Sequence, residues 1–335
     1  MSVKVLVTPR SFGKEDPSLF DRLAAAGFEV IRNDTGAILS KQQMIERIAP
    51  CDGLIVGVDP VDADVIAAAP RLRAIAKYGV GVDNIDLAAA AARGIPVSRT
   101  VGANASAVAD YAMALMLAVS RKLVVIDRKC RTGDWSKITT LDVTGGTLGL
   151  IGLGAIGKLV AKRAKGFDMR VLAYDVAWDE GYALENGIEY AQPEEILRTA
   201  DFISLHLPLI PSTENFIGAD EIRVMKPGAI LINTARGGLV DEDALLAALK
   251  EGAIGGAGLD AFREEPPASE WFHLDNVVLG AHCAASTKGA GLQMGRMATE
   301  NLIDALKSPA DLSARGDAGS FARLKRQSVS GGSLT

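Results

Sequence analysis

One six-residue frame, Gly152-Leu153-Gly154-Ala155-Ile156-Gly157, constrains this chain more than any other feature. Alone it would say little, because the chain holds 35 glycines. Here it follows the apolar run 147–151, which reads as a strand, and opens residues 155–164, which read as a helix. In a strand–turn–helix unit each glycine has a task. Gly152 allows the tight turn, Gly154 lets a pyrophosphate approach the backbone, and Gly157 lets helix and strand pack closely. The helix start, with Ala155 and Ile156, then offers unpaired N–H groups to phosphate. Asp175 ends the next apolar run, Val171-Leu172-Ala173-Tyr174, at about the 20-residue spacing such a fingerprint requires. A carboxylate there accepts hydrogen bonds from an adenosine ribose and repels a 2′-phosphate. Val176, Ala177 and Trp178 supply no compensating arginine. The expected cofactor is therefore NAD rather than NADP.

Strand and helix patterns alternate from the first residues, which predicts parallel α/β sheets. Before residue 101 the strands fall at 3–7, 28–31, 53–56 and 72–76, and helices at 18–26, 41–48 and 62–68. Residues 103–121 are rich in Ala, Leu and Met with no internal Gly or Pro, and read as a helix leading into a second domain. Six strands are expected after it, at 148–152, 171–174, 202–205, 230–233, 258–260 and 277–279. A last helix is read at 294–306. A chain of 335 residues accommodates two domains, each with its own core. We expect a substrate domain at 1–101, completed by 288–312, and a dinucleotide domain at 102–287. Residues 313–335, rich in Gly, Ser, Arg and Lys, read as a mobile tail.

Three chemically matched residues lie in the C-terminal half: Arg236 in Asn233-Thr234-Ala235-Arg236-Gly237-Gly238, Glu265 in Arg263-Glu264-Glu265-Pro266-Pro267, and His282 in Gly280-Ala281-His282. Each follows a predicted strand, where ligands bind in open α/β sheets. A planar guanidinium suits a carboxylate. An imidazole oriented by a glutamate moves a proton near neutral pH. With a dinucleotide loop upstream, the set points to hydride transfer on a hydroxy or keto acid. Of the other two histidines, His206 precedes Leu207-Pro208 at a strand end near the cofactor and reads as packing or loop; His273 reads as surface.

The remaining bounds are exclusions. A net charge of −5 and a pI near 5.4 argue against nucleic acid. Residues 105–119 are broken by Ser106 and Asp110 and too short to span a bilayer, so no membrane association is expected. The first residues read as a strand, not as a secretory leader. Cys51, Cys130 and Cys283 have neither metal nor disulfide spacing, which fits a reducing cytoplasm.

These motifs resemble the D-isomer-specific 2-hydroxyacid dehydrogenase family, the phosphoglycerate dehydrogenase branch in particular. The likeness covers nearly the whole chain to about Leu312. It is carried by Tyr78-Gly79-Val80-Gly81-Val82-Asp83-Asn84-Ile85-Asp86, Gly94-Ile95-Pro96-Val97, the glycine frame, Pro227-Gly228-Ala229 through Asp243, and His282 with Ala284, Ser286 and Thr287. It implies a flavodoxin-like substrate domain, a Rossmann NAD domain and an active site in the cleft between them. It implies Arg236, Glu265 and His282 as the catalytic trio. Asp260 would hold the nicotinamide carboxamide, and Thr234, Ala235, Leu207, Pro208 and Ala284 would line the cofactor. The Tyr78-Gly79-Val80 backbone would grip the carboxylate of a small hydroxy or keto acid. A homodimer built through the nucleotide domain is also implied, with residues 103–135 supplying contact.

Two departures qualify phosphoglycerate as substrate. Gly57 stands where an arginine often meets the phosphate, although Lys77 could supply charge from the next strand. The serine-sensing regulatory domain of many such enzymes is also missing from this chain. Two alternatives stay open at this stage. One is a phosphite or formate dehydrogenase, against which Glu265 argues for formate. The other is a non-catalytic NAD-sensing scaffold.

Overall fold

The structure is a computed structural model and describes residues 2–307. The expected tail at 313–335 lies outside the described residues. The described residues divide into two compact units, those up to Thr100 with those from Met294 onward, and Val101–Gln293. The C-terminal helix runs Lys288–Lys307, longer than the expected 294–306, so the second division falls inside a helix and no loop marks it in the sequence.

The first unit is built on β1 (Val3–Val7), β2 (Phe28–Arg32), β3 (Gly53–Val56), β4 (Ala74–Lys77) and β5 (Val97–Ser98), all parallel, in the order β2-β1-β3-β4-β5. That is the flavodoxin-like order. β3 and β4 are buried along their whole length, as central parallel strands covered on both faces should be. Local chemistry sets the helix ends. Ser40 and Gln43 form a capping box on helix Lys41–Ile48, and Asp62 caps Ala63–Ala67. Strand β4 starts two residues later than expected. Leu72 is still held in a turn by the Ala69 carbonyl, and Arg73 donates to Asp52 O instead of to the ladder. The register then pairs Val56 with Lys77 and draws Lys77 into the sheet. Two elements went unread: β5, only two residues long, and helix Leu87–Ala92, whose Leu-Ala₅ run has no apolar period and starts only because Asp86 caps it.

The second unit has seven parallel strands: β6 (Thr147–Ile151), β7 (Arg170–Tyr174), β8 (Ile188–Tyr190), β9 (Phe202–Leu205), β10 (Ile230–Asn233), β11 (Gly256–Leu259) and β12 (Val277–Leu279). Their order is β12-β11-β10-β9-β6-β7-β8, a Rossmann sheet with one further strand. Six were expected. The seventh, β8, is a three-residue edge strand with two exposed side chains, too short and too polar to read as a strand. One face of the sheet packs on Ile196, Leu197, Ile217, Leu245 and Leu249. The other packs on Ala112, Met116 and Val160, with Phe202 fully enclosed. The order in which strands are added reverses between β6 and β9, which pair in parallel from Leu148–Phe202 to Ile151–Leu205. The glycine frame follows β6 and His206 follows β9, so both border the switch point. Among the described residues, no helix is long and apolar enough to cross a membrane.

Candidate active site

At the switch point the three glycines separate by task. Gly152 sits at φ +105°, and a Cβ there would lie 2.7 Å from the His206 carbonyl oxygen. A Cβ on Gly157 would fall 2.2 Å from the Gly152 carbonyl oxygen, so helix and loop touch backbone to backbone. A Cβ on Gly154 would meet nothing within 4 Å. The frame is therefore closed from behind and open at Gly154. Gly154 is also the N-cap of helix Ala155–Ala164, and no side chain caps that end. The first-turn amides remain for an anion.

Asp175 is fixed by the loop it serves. One carboxylate oxygen accepts from Leu153 N at 2.6 Å, the other from Ala177 N at 2.9 Å. Each oxygen keeps a further lone pair for ribose hydroxyls. Leu207 backs onto the glycine turn, its nitrogen 3.2 Å from where a Gly152 Cβ would stand. Thr234 is buried with its hydroxyl unpartnered, an unusual state for a buried polar atom and one a bound ligand would relieve. An open anion cradle, a fixed ribose carboxylate and an orphaned hydroxyl fit a dinucleotide. Gly154, Ala155, Ile156, Asp175 and Thr234 would hold it.

The expected trio stands on three successive loops beyond the carboxyl ends of β10, β11 and β12. Asn233, buried at the end of β10, stitches the first loop: its side chain accepts from Ala235 N at 3.0 Å and donates to Arg236 O at 2.7 Å. Arg236 is half-buried and donates to its neighbour's carbonyl, Ala235 O, at 2.7 Å. Gly237 seats this loop on the next one, since a Cβ there would lie 2.0 Å from the Phe262 carbonyl carbon. Glu265 hangs from the second loop, where one of its oxygens accepts from Phe262 N at 3.2 Å. His282 Nδ1 lies 2.9 and 3.0 Å from the two Glu265 oxygens. A carboxylate only accepts, so Nδ1 carries the proton and Nε2 is the ring atom free to exchange one. The pair is reachable: the side chains are 47% and 40% exposed, and both line a cavity of about 350 Å³ with Phe262, Phe272 and Leu279.

Asp260, just past β11, is 2% exposed, and its carboxylate accepts the amides of Cys283 at 3.0 Å and Ala284 at 2.9 Å. Burial raises its pKa, and those two amides oppose the rise. Its structural task is thus on the loop that carries His282, which the sequence did not disclose. His206 is half-buried with its ring turned inward: Nε2 is 3.0 Å from Ser204 Oγ, Nδ1 is buried without a partner, and burial pushes its pKa down to about 4. His273 is exposed in the short turn Ser269–His273.

In the first unit the expected substrate groups are partly committed. Lys77, 6% exposed, donates to Gly57 O and, at 2.7 Å, to Asn84 Oδ1. Tyr78 N donates to Val56 O, and Gly79 N to Thr100 Oγ1 at 2.9 Å. Of the three amides expected to grip a carboxylate, two are spent on the sheet and the following turn; that of Val80 is left for the purpose. The strand register decides this, and a sequence does not display register.

Residues 113–284 match the family model described as D-isomer specific 2-hydroxyacid dehydrogenase, NAD binding domain. A glyoxylate reductase of Korarchaeum cryptofilum is 46% identical over 273 residues, covering 79% of this chain and 82% of the relative. The crystal structure of a Thermus thermophilus protein superposes with TM-score 0.83 at 39% identity, covering 91% of this chain and 97% of that one. D-lactate dehydrogenase from Aquifex aeolicus, solved with NAD and lactic acid, superposes with TM-score 0.80 at 29% identity, covering 92% and 96%. None of these three singles out the phosphoglycerate dehydrogenase branch suggested by the sequence motifs.

Proposed function

We infer the reaction from one premise: the chain belongs to the D-isomer specific 2-hydroxyacid dehydrogenase family and is an NAD-dependent oxidoreductase acting on CH–OH donors. We propose that it interconverts a small D-2-hydroxy acid and its 2-oxo acid, with glyoxylate and other short 2-oxo acids as favoured substrates. The Glu265–His282 pair carries this reading. Both carboxylate oxygens hold Nδ1, which leaves Nε2 facing outward as the proton-exchanging atom. In reduction, the His282 imidazolium gives its Nε2 proton to the oxygen of the 2-oxo group; in oxidation, neutral His282 takes the hydroxyl proton back. When bound, NADH would supply the hydride in reduction and NAD⁺ would accept it in oxidation. Arg236 binds the carboxylate and polarises the neighbouring carbonyl through a planar, permanently charged fork. Glu265 holds the ring in one tautomer and one orientation.

A short, unphosphorylated substrate is favoured by two observations. Gly57 has no side chain, and the Lys77 ammonium is engaged by Gly57 O and Asn84 inside its own unit. The Korarchaeum relative is named for glyoxylate. The test follows NADH absorbance with glyoxylate, hydroxypyruvate, pyruvate, phenylpyruvate and 3-phosphohydroxypyruvate. The short acids should turn over best. A kcat/KM advantage of more than about 100-fold for the phosphorylated acid, roughly 2.7 kcal/mol of transition-state binding, would overturn the assignment.

We also assign the outer face of helix Leu123–Arg131 to a second copy of the chain. None of its residues is buried; Leu123 and Val124 are each 53% exposed, and Trp135 beyond it 81%. Large apolar groups left exposed along one stretch of chain favour burial in a partner. A cytoplasmic location is proposed on the three thiols, all free among the described residues.

A further inference from the structure

The peptide between Phe262 and Arg263 is where two of the three loops meet. Gly237, beside Arg236, presses on it: a Cβ there would lie 2.0 Å from the Phe262 carbonyl carbon and 2.2 Å from Arg263 N. The two amides at this point turn to different carboxylates. Phe262 N donates to Glu265 Oε1 at 3.2 Å, within its own loop. Arg263 N donates to Glu242 Oε1 at 2.6 Å, on a separate element. Glu242 is the first residue of helix Glu242–Glu251, which Leu245 and Leu249 anchor in the core. Asp241 already caps that helix through Ala244 N at 3.1 Å, so the Glu242 carboxylate is spared for the loop.

We propose that Glu242 is a positioning residue for the Glu265–His282 pair: by holding the Arg263 amide it fixes the turn from which Glu265 reaches His282 Nδ1. Three features support this. The bond from Arg263 N is short and charge-assisted, the stronger kind of amide hydrogen bond. Arg263 is also held at its other end, where the guanidinium donates to Asn215 Oδ1 at 2.8 Å and Asn215 N donates to Gly238 O at 2.8 Å. The chain is therefore clamped through backbone and side chain just before Glu265, whose own side chain is 40% exposed and not fixed by packing alone. Finally, Glu242 is half-buried, and burial raises its pKa while the Arg263 amide and guanidinium oppose the rise. An apolar side chain would sit there without that desolvation cost, but it could not hold the amide.

This inference rests on the reading of Glu265 and His282 as the proton-moving pair, and the test separates the two. Nitrogen NMR of labelled protein, read through the ring carbon protons, reports which nitrogen carries the proton in each of the three histidines. The His282 signals are assigned by their loss in His282→Asn. In the wild type, neutral His282 should be the Nδ1–H tautomer that Glu265 holds. In Glu242→Ala it should revert toward the Nε2–H form that free imidazole prefers. kcat for glyoxylate should fall roughly 10- to 100-fold, the consequence of displacing a reacting group by up to about 1 Å. KM and the NADH dissociation constant should each stay within about threefold of wild type, since the loss falls on the chemical step. Glu242→Gln keeps an oxygen for the Arg263 amide, so it should restore the tautomer and bring kcat to within about threefold of wild type. Glu242→Leu keeps the volume without the acceptor; it should match Glu242→Ala and carries the test if that variant does not fold. A wild-type tautomer in both Glu242→Ala and Glu242→Leu overturns the proposal, as does a Glu242→Gln enzyme that behaves like Glu242→Ala. A shifted tautomer with undiminished kcat leaves the positioning role standing and sinks the reading of the pair.

Discussion

Two glycines three residues apart in one motif should fail in opposite ways. At Gly154 an added Cβ meets nothing within 4 Å, and φ is −72°, comfortable for alanine. Gly154→Ala trades a slightly worse N-cap against a less flexible unfolded chain. Each effect is about 0.5–1 kcal/mol, so the net change in stability stays within about 1 kcal/mol. The methyl does occupy the space through which a pyrophosphate must approach. Overpacking of this kind costs about 1–3 kcal/mol, hence roughly 5- to 140-fold in NADH affinity. At Gly157 the same methyl lands 2.2 Å from the Gly152 carbonyl oxygen, backbone against backbone. The cost of about 1–3 kcal/mol is then charged to folding, and the unfolding temperature should drop by several degrees. The assay is thermal unfolding of each apoprotein alongside a fluorescence titration with NADH. Wild-type NADH affinity in Gly154→Ala would refute the cradle. A loss of stability in Gly154→Ala equal to that in Gly157→Ala would refute the division of tasks.

The remaining predictions concern chemistry, pH and assembly. His282→Asn should lower kcat on the order of 10²–10⁴-fold and leave NADH affinity nearly unchanged; turnover near wild type would reject His282 as proton carrier. His206 has a folded pKa of about 4 against the ordinary histidine value of 6.5, so its contribution to stability is complete above about pH 6.5 and is lost as pH falls toward 4. The loss should approach about 1.4 kcal/mol per pH unit within that window, and unfolding midpoints of His206→Gln between pH 7 and pH 4.5 should lack it. Sedimentation at micromolar concentration should show a dimer that Trp135→Glu with Leu123→Glu weakens; a wild-type monomer would sink the assignment of that face.

Periodicity and turn chemistry are local, and what depends on them could be read from the chain. The alternation of strands and helices, the glycine frame with its acid, and the three candidate side chains Arg236, Glu265 and His282 each announce themselves within a few residues. Short or unpatterned elements did not. β8 and β5 are strands because a neighbour offers a ladder, and Leu87–Ala92 is a helix because Asp86 caps it. The tertiary structure alone decided which polar groups remain available. Register pairs Val56 with Lys77, buries that ammonium and spends the amides of Tyr78 and Gly79, although the sequence presents all of them as ligands. It also decided that Asp260 meets the amides of residues 282–284, which lie more than 20 positions away in the chain. A hydrogen-bonding group satisfied by the fold and one left for a substrate are the same in sequence. They differ only in whether a partner from a distant strand or loop has reached them.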